Sequence, residues 1–490
     1  MFGIYGIEPT VESVRILKET GACGIVLQRR NIESAEQVKN LIAGLQQRVG
    51  HRLLVGVEQE GGTLIRFARD ITPFPGHMAL GKSATASLAF EVGRAMAQEL
   101  LPLGINVNLA PVLDVQPAGY RRNLGMRSFG SDPAIVATMG AQMIKGLQSG
   151  GLSAVAKHFP GEGAVPEKGG AWGSRSDAEQ THVVPFKSAV QQGPDVIMTS
   201  LAGSGVWESV STAPAVLSRA VVRTLLRETL GYNGVVMTDD LTSPDLAGGR
   251  DPAEATLKAA RAGNDILYLA HDGDTQMMAF QAYRAALEKD QPLAKEAEES
   301  HRRIQELLDR RTWSQVSLPT TEEADSVSLS EVIAGASVHI ERDPLNLLPI
   351  PGAARCGILF PRLTDVGHQV VIDDELRDIG RLMQTWIRDL SSCAELLECP
   401  MDPRDNLVSM ISDWTASIGT VVFFCFNAKE YPGQRRILEE LERQCERVIL
   451  VPMGNPWDRE LASKKTTIVQ SLGFRVPQLA AAIEVLFRPR

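Results

Sequence analysis

A chain of 490 residues has room for two or three domains, and a composition 44% hydrophobic and 22% charged is that of a globular protein with sizeable cores. The net charge of −9 argues against nucleic acid or an anionic membrane as a partner. No apolar stretch is long enough to span a bilayer.

The N-terminal run Met1-Phe2-Gly3-Ile4-Tyr5-Gly6 lacks a charged n-region and a cleavage site, so it reads as a strand rather than a signal peptide. From residue 1 to about 311, short apolar runs alternate with amphipathic segments. Strands are expected at Met1–Gly6, Cys23–Leu27, Leu53–Glu58, Val107–Asp114, Ser153–Lys157, Asp195–Thr199, Gly234–Asp239 and Asp265–Leu269. Helix-like patterning lies between them, at Ser34–Arg48, Leu88–Leu103, Ala134–Leu147, Arg219–Leu230 and Glu254–Ala262. Eight such βα units fit a (β/α)₈ barrel. Strand counting alone leaves a doubly wound open sheet as the alternative.

Residues 312–330 are polar and read as a linker. Over 331–490 a second, smaller α/β sandwich is expected. Its strands fall at Gly357–Phe360, Thr420–Phe426, Val448–Pro452 and Thr467–Ser471, its helices at Glu375–Asp389, Gln434–Glu446 and Gln478–Phe487. It carries no G-x-G-x-x-G and no P-loop, so no nucleotide is assigned to it. The six cysteines, Cys23, Cys356, Cys393, Cys399, Cys425 and Cys445, form no C-x-x-C pair and read as free buried thiols of a cytoplasmic protein. No Cys/His grouping has metal-ligand spacing, so no metal or cofactor is expected.

Polar residues gather at the strand ends of the first domain: Glu58-Gln59-Glu60-Gly61-Gly62 with Arg66, Asp114, Arg127-Ser128-Phe129-Gly130, Lys157-His158-Phe159-Pro160-Gly161-Glu162-Gly163, Thr199-Ser200 and Asp239-Asp240. Each has a plain structural reading: a surface ion pair for Glu58 and Arg66, a solvated cation for Lys157, a satisfied histidine for His158, a helix cap for Asp239 or Asp240. In a barrel all of them converge on one face, where such folds keep their chemistry. Strand alternation aims at most one of Asp239 and Asp240 at that face. Charged donors and acceptors around a carboxylate suit a polyol such as a sugar.

At these residues the chain resembles glycoside hydrolase family 3, especially its bacterial β-N-acetylglucosaminidase branch. The matching segments are Glu58–Gly62 with Arg66, Asn108–Asp114, Gly125-x-Arg127-Ser128-Phe129-Gly130-Ser131-Asp132-Pro133, Ala154–Gly163, Leu225-x-Arg227 with Gly231-Tyr232, Val236–Leu241, and Ala262-Gly263-x-Asp265. The likeness covers the whole first domain; that of the second, around Ala336–Leu348, is weak. The resemblance implies an exo-acting retaining β-glycoside hydrolase, most similar to a β-N-acetylhexosaminidase, with Asp239 as nucleophile. Lys157 and Arg127 would lower the Asp239 pKa. Glu58, Arg66, Asp114, Arg127, Lys157 and His158 would hold the sugar. Position 58 is usually Asp in that branch, so Glu58 is longer by a methylene.

One departure bears on the chemistry. The hexosaminidases take their acid/base from a loop histidine after strand five, oriented by an aspartate two residues before it. There the run is K-H-F-P-G-H-G and then D-S-H; here it is K-H-F-P-G-E-G, and Lys168 and Gly170 stand at the expected Asp and His positions. A second expected histidine, after strand six, is Leu201. The sequence offers Glu162 as the replacement acid/base, with Glu167 as its competitor, or an acid from the second domain. Substrates needing no acid, transfer to phosphate, another β-glycosidase specificity, and a degenerate sugar-binding homologue are the alternatives. A carbohydrate is the one partner class implied.

Overall fold

In the computed structural model the described residues are 1–116, 124–164, 173–208, 213–244, 246, 251–310 and 326–489. The first sheet has eight strands in sequence order, all pairs parallel: β1 (Phe2–Gly3), β2 (Gly24–Leu27), β3 (Leu54–Val57), β4 (Val107–Asn108), β5 (Ser153–Phe159), β6 (Val196–Thr199), β7 (Val235–Asp240) and β8 (Ile266–Tyr268). The ring closes where the Gly3 N–H donates to the Leu269 carbonyl (2.9 Å) and the Leu269 N–H to that of Met1 (3.1 Å). The fold is therefore the barrel, and the open-sheet alternative falls away.

Side-chain alternation sorts each strand into an inner and an outer set. Val26, Leu54, Val107, Val155, Val196, Met198, Val235, Met237 and Ile266 belong to one buried cluster inside the ring. Ile304, Leu307 and Leu308, from the helix Gln291–Arg310, join the same cluster. The outer residues, such as Ile25, Leu27, Val55, Val57 and Val236, pack against the surrounding helices in a larger core. Two-residue periodicity carries the inner set on to the C-terminal strand ends: Leu54, Gly56, Glu58; Val155, Lys157; Val196, Met198, Ser200; Val235, Met237, Asp239. The functional face follows from this parity.

The second sheet has six strands in the order β11-β10-β12-β13-β14-β9. These are β9 (His339–Arg342), β10 (Cys356–Pro361), β11 (Ala394–Cys399), β12 (Thr420–Cys425), β13 (Val448–Pro452) and β14 (Thr467–Gln470), with β9 antiparallel to β14 and the other pairs parallel. The helices Ile379–Leu390, Asp405–Thr415, Pro432–Gln444 and Val476–Phe487 belong to this α/β unit. The helix Ser326–Ser337 begins inside the stretch read as linker, and it contacts the barrel-domain helix His77–Ser83 and the helix Val476–Phe487 of the second unit. The rest of that stretch, up to 325, lies outside the described residues.

All six cysteines are free, but they are not uniformly buried: Cys393 is exposed and Cys23 and Cys445 are half-buried. Among the described residues no helix is long and apolar enough to cross a membrane.

Candidate active site

The β3 end sets the floor of the site. Gly61 and Gly62 follow it with φ of +90° and +55°; a Cβ on Gly61 would meet the Phe74 carbonyl oxygen at 2.9 Å, and one on Gly62 the Gly76 Cα at 2.7 Å. Only glycine fits this turn, which lets the Gly62 N–H reach the Phe74 carbonyl (2.8 Å). Glu58 and Glu60, two residues apart, are thereby held over the barrel mouth.

These two carboxylates meet three cations. Glu60 accepts Arg127 Nε and Nη2 on its two oxygens, at 2.9 and 2.8 Å, and Lys157 Nζ at 2.7 Å. Lys157 Nζ also reaches Glu58 Oε1 at 3.3 Å, and Glu58 pairs with Arg66 on its other oxygen. Lys157 is wholly buried and Glu60 nearly so. Burial opposes ionisation, yet Lys157 and Arg66 hold the Glu58 carboxyl down to about 2, and Arg127 and Lys157 hold Glu60 lower still. Glu60 in turn raises Arg127 against the cost of its burial. His77, edge-on to Phe129 with ring centroids 4.5 Å apart, is pushed down to about 4 by burial, with Glu60 opposing. The plain reading of Glu58 and Arg66 as a surface pair fails, because both are largely covered.

A second group lies on the β4–β6 side. Asp114 Oδ2 accepts His158 Nδ1 at 2.7 Å. Its Oδ1 accepts the backbone N–H groups of Glu162 (2.8 Å) and His158 (3.3 Å). Glu162 opens a short 3₁₀ turn and accepts the Ser200 hydroxyl on Oε1 at 2.8 Å. Burial raises the Glu162 pKa and the charges of Asp114 and Asp239 add to it, while His158 and Ser200 pull it back. His158 is raised against its burial, by Glu162 and Asp114. Asp114, His158 and Glu162 bring ligand-type atoms within 4.8 Å of one another. Both Asp114 oxygens and the first Glu162 oxygen already accept hydrogen bonds within the protein.

Asp239 is half-buried on the inner side of β7. Its pKa is raised, by burial first; His158 and the Asp240 N–H, which donates to Asp239 Oδ1 at 2.7 Å, oppose the rise. Lys157 does pull Asp239 down, as expected, but burial outweighs it and the net shift is upward; Lys157 and Arg127 are both engaged by Glu60. Asp240 faces away and accepts from the Thr242 N–H (2.9 Å), the Thr242 hydroxyl (2.6 Å) and the Ala270 N–H (3.0 Å). It caps a turn, not a helix.

The expected residues Glu58, Arg66, Asp114, Arg127, Lys157, His158, Glu162 and Asp239 thus fall into one connected region. Glu167, with Lys168 and Gly170, lies outside the described residues. Two partners stood among the strand-end polar residues of the sequence but were given no role there: Glu60, whose spacing of two from Glu58 already puts it on the same face, and Ser200, which follows Val196 and Met198 in the inner set. His77 gave no local signal.

The model of the glycosyl hydrolase family 3 N-terminal domain matches residues 4–307. A β-hexosaminidase of Neisseria meningitidis serogroup B is 32% identical over 289 residues, covering 56% of this chain and 78% of that protein. A β-hexosaminidase of Haemophilus influenzae is 30% identical over 322 residues, 64% of this chain and 89% of that protein. Among solved structures, a glycoside hydrolase family 3 β-N-acetylglucosaminidase from a Paenibacillus species superposes with a TM-score of 0.87 at 27% identity, covering 99% of this chain and 94% of that one.

Proposed function

The chain belongs to glycoside hydrolase family 3 and is a glycosidase, and from that premise we propose an exo-acting, retaining β-N-acetylhexosaminidase-like mechanism with Asp239 as nucleophile and Glu162 as general acid/base. The observation that carries the reading is Glu162 itself. It stands at the second histidine of the K-H-F-P-G-H-G run expected in this branch, eight residues before the position of the acid/base histidine itself, and is held by Ser200 and by Asp114 within the electrostatic reach of Asp239.

Ionised Asp239 attacks C1 of the sugar. The C1–O bond to the leaving group breaks, and Glu162 gives its proton to the departing oxygen. The ester so formed removes the negative charge of Asp239. That charge is one of the influences raising Glu162, so the Glu162 pKa falls as the intermediate forms. Glu162 is then ready to take a proton from water, whose oxygen attacks C1 and releases Asp239. Because the two carboxyls are coupled, their titrations belong to the pair.

The remaining polar set reads as the sugar pocket. Arg66, Glu58, Arg127 and His158 fix the nonreducing unit through charge-assisted hydrogen bonds, and Asp114, closed off from solvent with both oxygens engaged, orients His158. Lys157, closed off from solvent, acts by locking Glu58 and Glu60 in place. The N-acetylated sugar is proposed from the β-hexosaminidase relatives.

Trapping tests the nucleophile. Incubation with a slowly turned-over fluoro-sugar should add one glycosyl unit to the protein, and peptide mapping should find it on Asp239. An adduct on another carboxylate, or none while substrate is hydrolysed, contradicts the assignment.

A further inference from the structure

A cavity of about 440 Å³ lies between the β3 tip and the second domain, within the size range of small-ligand sites. Its lining includes Arg29, Arg66, Arg377, His368, Gln369 and Thr63 and, among the described residues, no aspartate or glutamate. Arg29 donates to the Ile32 carbonyl at 2.5 Å and pairs with no carboxylate among the described residues. The Arg377 partner, Asp374, is 4.0 Å away. Arg66 leaves its Nε buried without a hydrogen-bond partner. Two carboxylates serve these three guanidinium groups, and both are shared, Glu58 with Lys157 and Asp374 with Arg69; the surplus positive charge suits an anion, which arginine meets with two parallel hydrogen bonds.

The walls are fixed to each other. Arg475, wholly buried, donates through Nε to the Gly62 carbonyl (2.8 Å), and through Nη1 to the Val371 carbonyl (3.0 Å) and Asp373 Oδ2 (2.9 Å). One guanidinium thus ties the β3 turn to the second-domain segment that forms the opposite wall. The second domain has a defined place beside the site.

The direction of the cavity follows from the order of strands round the barrel. Glu162 and Ser200 follow β5 and β6, so the leaving group must lie on that side. Arg29 follows β2 and Thr63 to Arg66 follow β3, so the cavity lies away from it. Arg66 joins cavity and pocket, through its pair with Glu58. In a pyranose C4 stands across the ring from C1, so with C1 at Asp239 and the leaving group on the β5–β6 side, the far edge that carries C4 is the one directed toward Glu58 and Arg66.

We propose that the cavity between the β3 tip and the second domain receives an anionic group, phosphate ester or carboxylate, on the C4–C6 edge of the nonreducing sugar. This rests on Asp239 and Glu162 marking the C1 side. The natural substrate would then be an acidic glycoside whose charge lies on the sugar being removed.

Calorimetric titration of the full chain tests this with two matched pairs: N-acetylglucosamine against its 6-phosphate, and glucose against glucuronic acid. At least one anion should bind tenfold or more tightly than its neutral parent. The advantage should shrink with added salt and vanish in Arg29→Gln/Arg377→Gln, two exposed positions where substitution leaves the cores intact. The phosphate and carboxylate arms tell the two sources apart. Neutral parents bound as well as both anions, or an advantage that survives the double substitution, overturns the proposal. If no sugar binds at all, the reading of the site fails, and the proposal with it.

Discussion

Asp239 and Asp240, neighbours on β7, are divided by strand alternation: Asp239 lies on the inner face near His158, and Asp240 turns outward to collect the Thr242 and Ala270 donors. Asp239→Asn should therefore lower kcat by about 10⁴-fold or more, as loss of a nucleophile does, with the thermal midpoint little changed. Asp240→Asn should keep most of the activity and lose about 1 kcal/mol of stability from its weakened turn. Steady-state kinetics and thermal unfolding of both variants decide the point, and the reverse pattern would reverse the assignment.

Glu60 is the counter-charge for two buried cations. Glu60→Gln leaves Arg127 and Lys157 under-compensated, and loss of one partner from a buried ionic group costs about 3–5 kcal/mol. Denaturant unfolding should show that loss even without substrate.

The same cluster fixes how stability depends on pH. Glu58 and Glu60 titrate below their ordinary value of 4.5, Glu58 at about 2. Their contribution is present above pH 4.5 and is lost as pH falls toward about 2. Unfolding midpoints measured across that window should fall steeply in the wild type and less steeply in Glu60→Gln. Equal slopes would mean that other groups drive the acid loss.

On the proposed mechanism the pH dependence of kcat/KM reports Glu162. The first step needs its proton, so activity falls as pH rises through its pKa, and the raised value carries the basic limb above the ordinary carboxylate range. Ser200 stabilises the ionised form. Ser200→Ala should therefore raise the Glu162 pKa and move the basic limb to higher pH. A limb that moves down, or stays, would show that another group sets it.

How much of this was legible in the sequence follows burial. The eight barrel strands are short runs buried on both faces, and each announces itself as an apolar β-branched segment. In the second sheet β10, β12, β13 and β14 do the same. The other two strands escaped notice because they are edges: His339–Arg342 and Ala394–Cys399 mix charged with apolar residues and stay partly exposed. At the site, Asp239, Glu162 and the cations stood out by residue type and strand-end position. What they bind did not. Lys157 reads equally as a free sugar ligand or as a buried counter-ion, and only its contacts with Glu58 and Glu60 decide. Arg475 is more than 400 positions from Gly62 (|i−j| = 413), so no local pattern marks it as the tie between domains.

On the proposed mechanism Glu162 works as acid and base opposite Asp239. Its most direct test is the leaving-group dependence of Glu162→Gln. Glycosides of acidic nitrophenols need no protonation, so their glycosylation rate should stay near that of the wild type. Alkyl glycosides and disaccharides should slow by about 10²–10⁴-fold. Azide, which attacks without a base, should restore turnover on the activated substrates and yield the β-glycosyl azide. A variant that cleaves a disaccharide at the wild-type rate, with no response to azide, would contradict the account.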